Sequence, residues 1–269
     1  MPVTPPSDER PPLDEQRLAA QAPPGLVIEV LDEVGSTNQV AAERARSGAG
    51  EVLVVVAEHQ SAGRGRLDRT WEAPPRAALT FSVLLRPEAS AASWPWLPLL
   101  TGYAVVKALR AEGFDAGVKW PNDVLIAEQK VAGLLAERVE TPRGPAAILG
   151  IGLNVDLQAD ELPVPTATSL TLIGGRRLDR TSLLLTVLET LREAYDSWQA
   201  GGEAAAARLR ESYAAACVTL GRSVRVDLPG GEALHGTATG IDVAGRLVVS
   251  TGSGERTVAA GDVVHVRTT

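Results

Sequence analysis

The chain is short of cysteine, histidine, lysine and long apolar runs, and each shortage closes off a class of protein. One cysteine, Cys217, in 269 residues leaves no disulfide framework and no sulfur-rich metal site. The three histidines, His59, His235 and His265, stand far apart and form no local His-x-x-x-His zinc pattern. Disulfide scaffolds, zinc fingers and zincin proteases are therefore excluded. A basic excess is also missing. Lys and Arg number 26 against 33 Asp and Glu, a net charge of −7, whereas proteins that grip a DNA backbone carry a basic face. The longest uncharged stretch, Ala89 to Val106, is broken by Pro95, Pro98 and Gly102 and makes a poor membrane span. Met1 to Pro12 is proline-rich and acidic, without the apolar segment of a signal peptide. With 45% hydrophobic and 22% charged residues, the expectation is a soluble globular protein of the cytoplasm with no membrane partner.

Lysine is rarest in an informative way. Arginine supplies 23 of the 26 basic residues, and lysine remains only at Lys107, Lys119 and Lys130. Nucleotide bias in a genome produces such a ratio. The lysines that remain are then chance survivors, or positions that need a compact ammonium rather than a planar guanidinium.

The length suggests one large domain and a smaller one. Residues 1–25, bracketed by Pro-Pro pairs, read as a flexible tail with one short helix over Asp14 to Ala22, too short for a helix-turn-helix. From residue 26 to 217, helices and strands alternate. Ser36-Thr37-Asn38 offers N-capping side chains for a helix that runs through Arg46 and stops at Gly48. Val52 to Ala57 is a continuous β-branched run, as in a strand buried on both faces. Further strands are expected over Ala78 to Leu85, Val118 to Ile126 around a Pro-Asn-Asp turn, Val131 to Val139 and Ala146 to Val155. Helices are expected over Leu99 to Arg110, Ser182 to Gln199 and Glu203 to Cys217. This mixture predicts an α+β domain (or α/β) built on a mixed sheet with flanking helices. Residues 218–269 change to short strands with turn signals every 8–12 residues, the pattern of a small barrel.

Three segments could carry chemistry. Glu58 to Trp71 begins where the buried strand ends, which is where open α/β sheets place ligands. Gly63 and Gly65 let the backbone approach a ligand, while Arg64, Arg66 and Arg69 add positive charge and Trp71 a flat stacking surface. The segment suits a nucleotide's phosphate and base; it reads equally as a solvated loop or a non-specific nucleic-acid contact. It matches neither GxGxxG nor GxxxxGK[ST]. In the second segment, Lys119-Trp-Pro-Asn-Asp123 followed by Lys130-Val-Ala-Gly133, Lys119 sits among apolar neighbours and needs an anionic partner. That partner is a substrate anion, or an acidic side chain if the segment is only a hairpin turn. The third, Gly150 to Val155, is a glycine-broken strand that admits a flat ligand and ends in the polar Asn154.

The series GRGRxxRxW from Gly63, KWPND from Lys119, KxAGxLxE from Lys130 and GIGLNV from Gly150 resembles the biotin protein ligase family in order and spacing. Gly35-Ser36-Thr37-Asn38 is similar to that family's biotin-side segment, and the resemblance spans about residues 30–217. It implies a biotin/lipoate ligase catalytic fold, similar to class II aminoacyl-tRNA synthetases, with an SH3-like C-terminal domain. It implies that biotin and ATP, with Mg²⁺, form biotinyl-5′-adenylate, and that biotin then passes to a lysine of a biotin carboxyl carrier domain. On this reading Lys119, Arg64 and Arg66 are catalytic. Ser36, Thr37, Asn38, Gln60, Gly63, Arg64, Gly65, Arg66, Lys119 and Gly133 hold biotin. Arg66, Arg69, Trp71, Asn122, Lys130 and Asn154 hold ATP, and no metal ligand is assigned. The family's ligase-only form, without specific DNA binding and acting as a monomer or homodimer, is the expectation. Lipoate–protein ligase and a non-catalytic biotin-responsive regulator are the alternatives. One departure stands out: many members have glycine at Asp68, and a carboxylate there weakens the loop's attraction for anions.

Overall fold

The structure, a computed structural model, describes residues 10–50 and 52–266. Seven strands form a mixed sheet: β1 (Val27–Val34), β2 (Leu53–Gln60), β3 (Ala78–Leu85), β4 (Ala116–Lys119), β5 (Asp123–Ile126), β6 (Gln129–Val139) and β7 (Ala146–Asn154). Their order is β1-β2-β3-β7-β6-β5-β4. The β1–β2 pair is parallel, with α2 (Thr37–Arg46) as its crossover, and the remaining pairs are antiparallel.

The valine run of β2 explains its central position. Val54 and Val56 point into the main core beneath α3 (Trp96–Ala111) and α5 (Arg180–Gln199), while Leu53 and Val55 point into a second core beneath α2. Alternating side chains thus bury both faces of one strand. Helix α3 starts three residues before the expected Leu99. Pro98 falls within its first turn, where the backbone N–H has no helical partner to lose. The expected strand over Val118 to Ile126 divides into β4 and β5 at the Pro-Asn turn.

Two expectations are corrected. No Ser36 side chain caps α2; instead Gln60, at the end of the neighbouring β2, accepts hydrogen bonds from the Thr37 N–H at 2.7 Å and from Thr37 Oγ1 at 3.0 Å. The flexible tail over 1–25 is also not what the structure shows from Arg10 onward, residues 1–9 lying outside the described residues. Helix α1 (Glu15–Gln21) packs with Leu18 buried, and Leu13 donates its N–H to Glu58 at 2.6 Å. Arg10 is buried beside Asp156, and Arg180 bridges Glu58 and the Pro11 carbonyl. Buried charges survive when paired in this way, so this segment belongs to the body of the domain.

After the short helix α4 (Leu170–Gly174), α5 and α6 (Glu203–Ala216), strands β8 (Ser223–Asp227), β9 (Ala233–Ile241), β10 (Leu247–Thr251), β11 (Gly254–Val258) and β12 (Asp262–His265) form an antiparallel sheet in the order β11-β10-β9-β8-β12. Its apolar side chains join the main core. Two indoles, of Trp96 at the start of α3 and Trp120 in the turn after β4, fasten it to the larger domain: Trp96 Nε1 donates to the Val243 carbonyl at 2.9 Å, and Trp120 Nε1 donates to that of Gly245 at 3.1 Å. No helix among the described residues is long and apolar enough to cross a membrane.

His265 sits at this junction, 3.2 Å from Thr219 Oγ1, facing Glu128, Lys119 and Arg222. Burial, reinforced by the charges of Lys119 and Arg222, lowers its pKa from 6.5 to about 4. The folded protein therefore holds a neutral ring that the unfolded chain would protonate, and stability falls as pH drops from about 6.5 towards 4. Thermal melting of the wild type and His265→Gln across that interval should converge as pH falls. Parallel curves would show that the ring does not titrate in this way.

Candidate active site

The site lies where the carboxyl end of β2, the N-terminus of α2 and the middles of β6 and β7 meet. It is a cleft of about 760 Å³ including its open mouth. Ser36, Thr37, Asn38, Gln60, Arg64, Gly65, Arg66, Arg69, Trp71, Asn122, Lys130 and Gly133 all line it. The four separated segments singled out in the sequence converge on one place.

One end is a neutral hydrogen-bonding pocket. Asn38 donates to Glu137 at 2.5 Å and to the Leu135 carbonyl at 3.3 Å, and Ser82 Oγ lies 2.6 Å from Asn38 Oδ1 and 2.7 Å from Thr37 Oγ1. Gly150 makes this possible, since a Cβ there would stand 2.3 Å from Asn38 Oδ1. The floor next to it is bare backbone. Gly133 and Gly152 pair across β6 and β7, and the Trp71 indole lies against them; a Cβ on Gly152 would come within 2.3 Å of the ring.

The other end is cationic. Among the described residues, Arg64, Arg66, Arg69 and Lys130 are the cations lining the cleft. Arg64 faces Glu137 at 3.4 Å, Lys130 faces Asp123 at 2.7 Å, and Arg69 pairs with Asp262. Arg66 differs. It donates to Asn122 Oδ1 at 2.9 Å and reaches the Gly261 carbonyl at 3.5 Å, with no carboxylate in an ion pair among the described residues. Burial pulls its pKa below the ordinary value, with the Asp262 and Asp123 charges opposing that effect. Arg66 is the cation whose charge an incoming anion would neutralise at least cost.

A β-bulge decides which lysine arrives here. β5 and β6 pair Val124 with Ala132 and then Leu125 with Lys130, leaving Val131 extra. Without that slip, Lys130 and Gly133 would lie on opposite faces; with it they share one. Lys130 Nζ stands 5.9 Å from the Trp71 ring centroid.

Three expected residues do not line the cleft. Lys119, expected to be catalytic, ends the edge strand β4 and stands near His265, outside the lining. Its register partner on β5 is Asp123, the carboxylate that faces Lys130. Gly63 serves the loop's base: its carbonyl accepts the Trp71 N–H at 2.9 Å, and a Cβ would lie 2.3 Å from the Trp71 oxygen. Asn154 is buried and donates to the Thr168 carbonyl at 3.0 Å, fixing the chain after β7. Sequence reasoning missed Asp123 as a counter-ion, Ser82 within an apolar strand, and Asp262, which belongs to the C-terminal sheet. Only Asp123 carried a signal, through its position in the Lys-Trp-Pro-Asn-Asp motif.

The loop itself is a short hairpin. Arg64 bridges Thr70, Gly65 donates to the Arg69 carbonyl at 2.7 Å, and Leu67 and Asp68 have φ of 54° and 56°. Two consecutive left-handed residues make a type I′ turn, which favours glycine or asparagine. The aspartate at 68 tolerates that conformation better than Leu67 does.

Comparison with known proteins places the chain in a family. Residues 30–156 match the Biotin/lipoate A/B protein ligase family, and residues 219–266 match the Biotin protein ligase C terminal domain. The sequence is 41% identical over 268 residues to a biotin--[acetyl-CoA-carboxylase] ligase of Mycobacterium tuberculosis, covering 96% of this chain and 97% of the relative. It is 35% identical to the bifunctional ligase/repressor BirA of Bacillus spizizenii, covering 89% of this chain and 76% of that protein. The structure is similar to the biotin protein ligase from Aquifex aeolicus in complex with biotin and ATP, with TM-score 0.77, 29% identity, and coverage of 90% and 99%. The fold is that of the biotin/lipoate protein ligases. The chain belongs to the biotin protein ligase family.

The glycine floor yields a test. Gly152→Ala keeps a residue suited to a strand but pushes the indole off the sheet, because the half-buried Trp71 can swing outward. Trypsin should then cut after Arg64 and Arg66 several-fold faster, with little change in melting temperature. Unchanged cleavage would show that Trp71 does not anchor the loop.

Proposed function

We propose that this ATP-dependent biotin–protein ligase works through the cationic end of the cleft. Biotin's carboxylate attacks the α-phosphorus of ATP, pyrophosphate leaves, and biotinyl-5′-adenylate remains. The ε-amine of a lysine on a biotin carboxyl carrier domain then attacks the acyl carbon, AMP departs, and the amine loses a proton. The observation that carries this reading is the convergence of a neutral hydrogen-bonding pocket, a glycine floor and four cations within one cleft.

Each part has a task in that chemistry. Thr37, Asn38 and Gln60 offer donors and acceptors suited to the ureido ring. The carboxylate and the triphosphate repel each other, and Arg66 with Lys130 neutralises the charge gathered where they meet. Trp71 provides the flat surface for adenine. Glycines at 133 and 152 let that indole seat flat on the sheet with its outer face turned to the ligand, and the hairpin keeps water from the anhydride.

Magnesium fits as a companion of the nucleotide. The described residues hold no cluster of three or more metal-ligating side chains, but Mg²⁺ bound to phosphates needs only one or two protein oxygens. Asp123 and Asn122 line the cleft and would supply them. The ion would offset negative charge on the phosphates. One cysteine and an acidic total support a cytoplasmic setting.

Purified protein with ATP, magnesium and labelled biotin should label a carrier domain, and labelled lipoate should not be transferred. Lys130→Met should slow pyrophosphate release in single turnovers by about 10²–10³-fold, the usual scale for losing one charge-stabilising group. Lys119→Met should stay within a few-fold of wild type. The opposite ranking would return the catalytic role to Lys119.

A further inference from the structure

The C-terminal sheet contributes one side chain to the cleft among the described residues, Asp262, which the activity described above does not use. It lies at the start of β12, immediately after Gly261. That turn is packed tightly onto β8: a Cβ on Gly261 would stand 2.8 Å from Val226 Cγ1 and 3.1 Å from the Asp227 oxygen. Asp262 is thus a carboxylate on a fixed support. The loop facing it has little else to hold its tip, since Leu67 is 63% exposed and both tip residues adopt the unfavourable left-handed conformation. Arg69, one residue past the turn, meets the Asp262 carboxylate, and Arg66 reaches the Gly261 carbonyl.

We propose that Asp262 is a positioning residue: it tethers the tip of the cationic loop to the C-terminal sheet through Arg69, and yields Arg69 when the nucleotide's phosphates enter. This rests on the proposed role of the loop in holding the nucleotide. The pair suits exchange. Arg69 is 61% exposed and Asp262 33%, and ion pairs this wet are weak, enough to bias a loop and little enough for a polyphosphate to displace. Shifting β12 would move the support of the loop.

Hydrogen exchange of the Gly65 and Arg69 amides reads the tether directly, because both are bonded within the hairpin. Without ligand, Asp262→Ala should exchange these amides about two- to fivefold faster than wild type, the range such a pair allows. The charge swap Arg69→Asp with Asp262→Arg should restore wild-type protection, which loss of packing alone would not do. With biotin and ATP present, Asp262→Ala should be protected as well as wild type. Equal exchange of Asp262→Ala and wild type without ligand overturns the tether, as does a swap that fails to restore protection. Faster exchange in Asp262→Ala even with ligand overturns the hand-over of Arg69. If biotin and ATP fail to protect the wild-type loop, the reading of the loop as the nucleotide's cover falls, while the ligand-free comparison still decides the tether.

Discussion

Four cations cannot share a cleft unless something answers their charge, and that constraint organises the site. Like charges a few ångströms apart repel by about 1–4 kcal/mol per pair, depending on how much water reaches them. Carboxylates on three separate strands meet the demand: Asp123 on β5, Glu137 on β6 and Asp262 on β12. Each of these pairs remains partly exposed to water, so an anion of higher charge can replace the carboxylates without the full cost of breaking a buried salt bridge. The ligand-free fold holds its own stand-ins for the substrate's negative charge.

The sheet turns that electrostatic arrangement into geometry. The slip at Val131 brings Lys130 onto the face that carries Gly133, and the pairing of Gly133 with Gly152 leaves a surface low enough for an indole to rest on. Gln60 links the two ends: it terminates β2 and accepts from the first N–H of α2. The neutral pocket and the cationic loop are therefore set by the same strand, whose buried valines fix its place in the sheet.

Much of this was legible in the sequence. The β-branched run of β2, the glycine-rich loop after it and the order of the four motifs carried fold class, family and most of the cleft's lining. What stayed hidden depended on register and on contacts distant in sequence. Lys119 and Lys130 both sit in apolar strand contexts, and only a one-residue bulge, which composition does not announce, puts Lys130 inside the cleft. Ser82 reads as one polar residue in an apolar strand until Asn38 is seen beside it. Asp262 lies in the other domain, 193 positions from Arg69. Arg10 looked like part of a loose tail because its partners, Asp156 and Glu161, come some 150 residues later.

The most direct measurement is a crystal structure of the protein with a non-hydrolysable analogue of biotinyl-5′-adenylate. The analogue's phosphate-like group should lie against Arg66 and Lys130 and its ring system between Thr37, Asn38 and Gln60, with Lys119 outside the contact sphere. A complex in which Lys119 touches the phosphate-like group while Lys130 stays paired with Asp123 would contradict it.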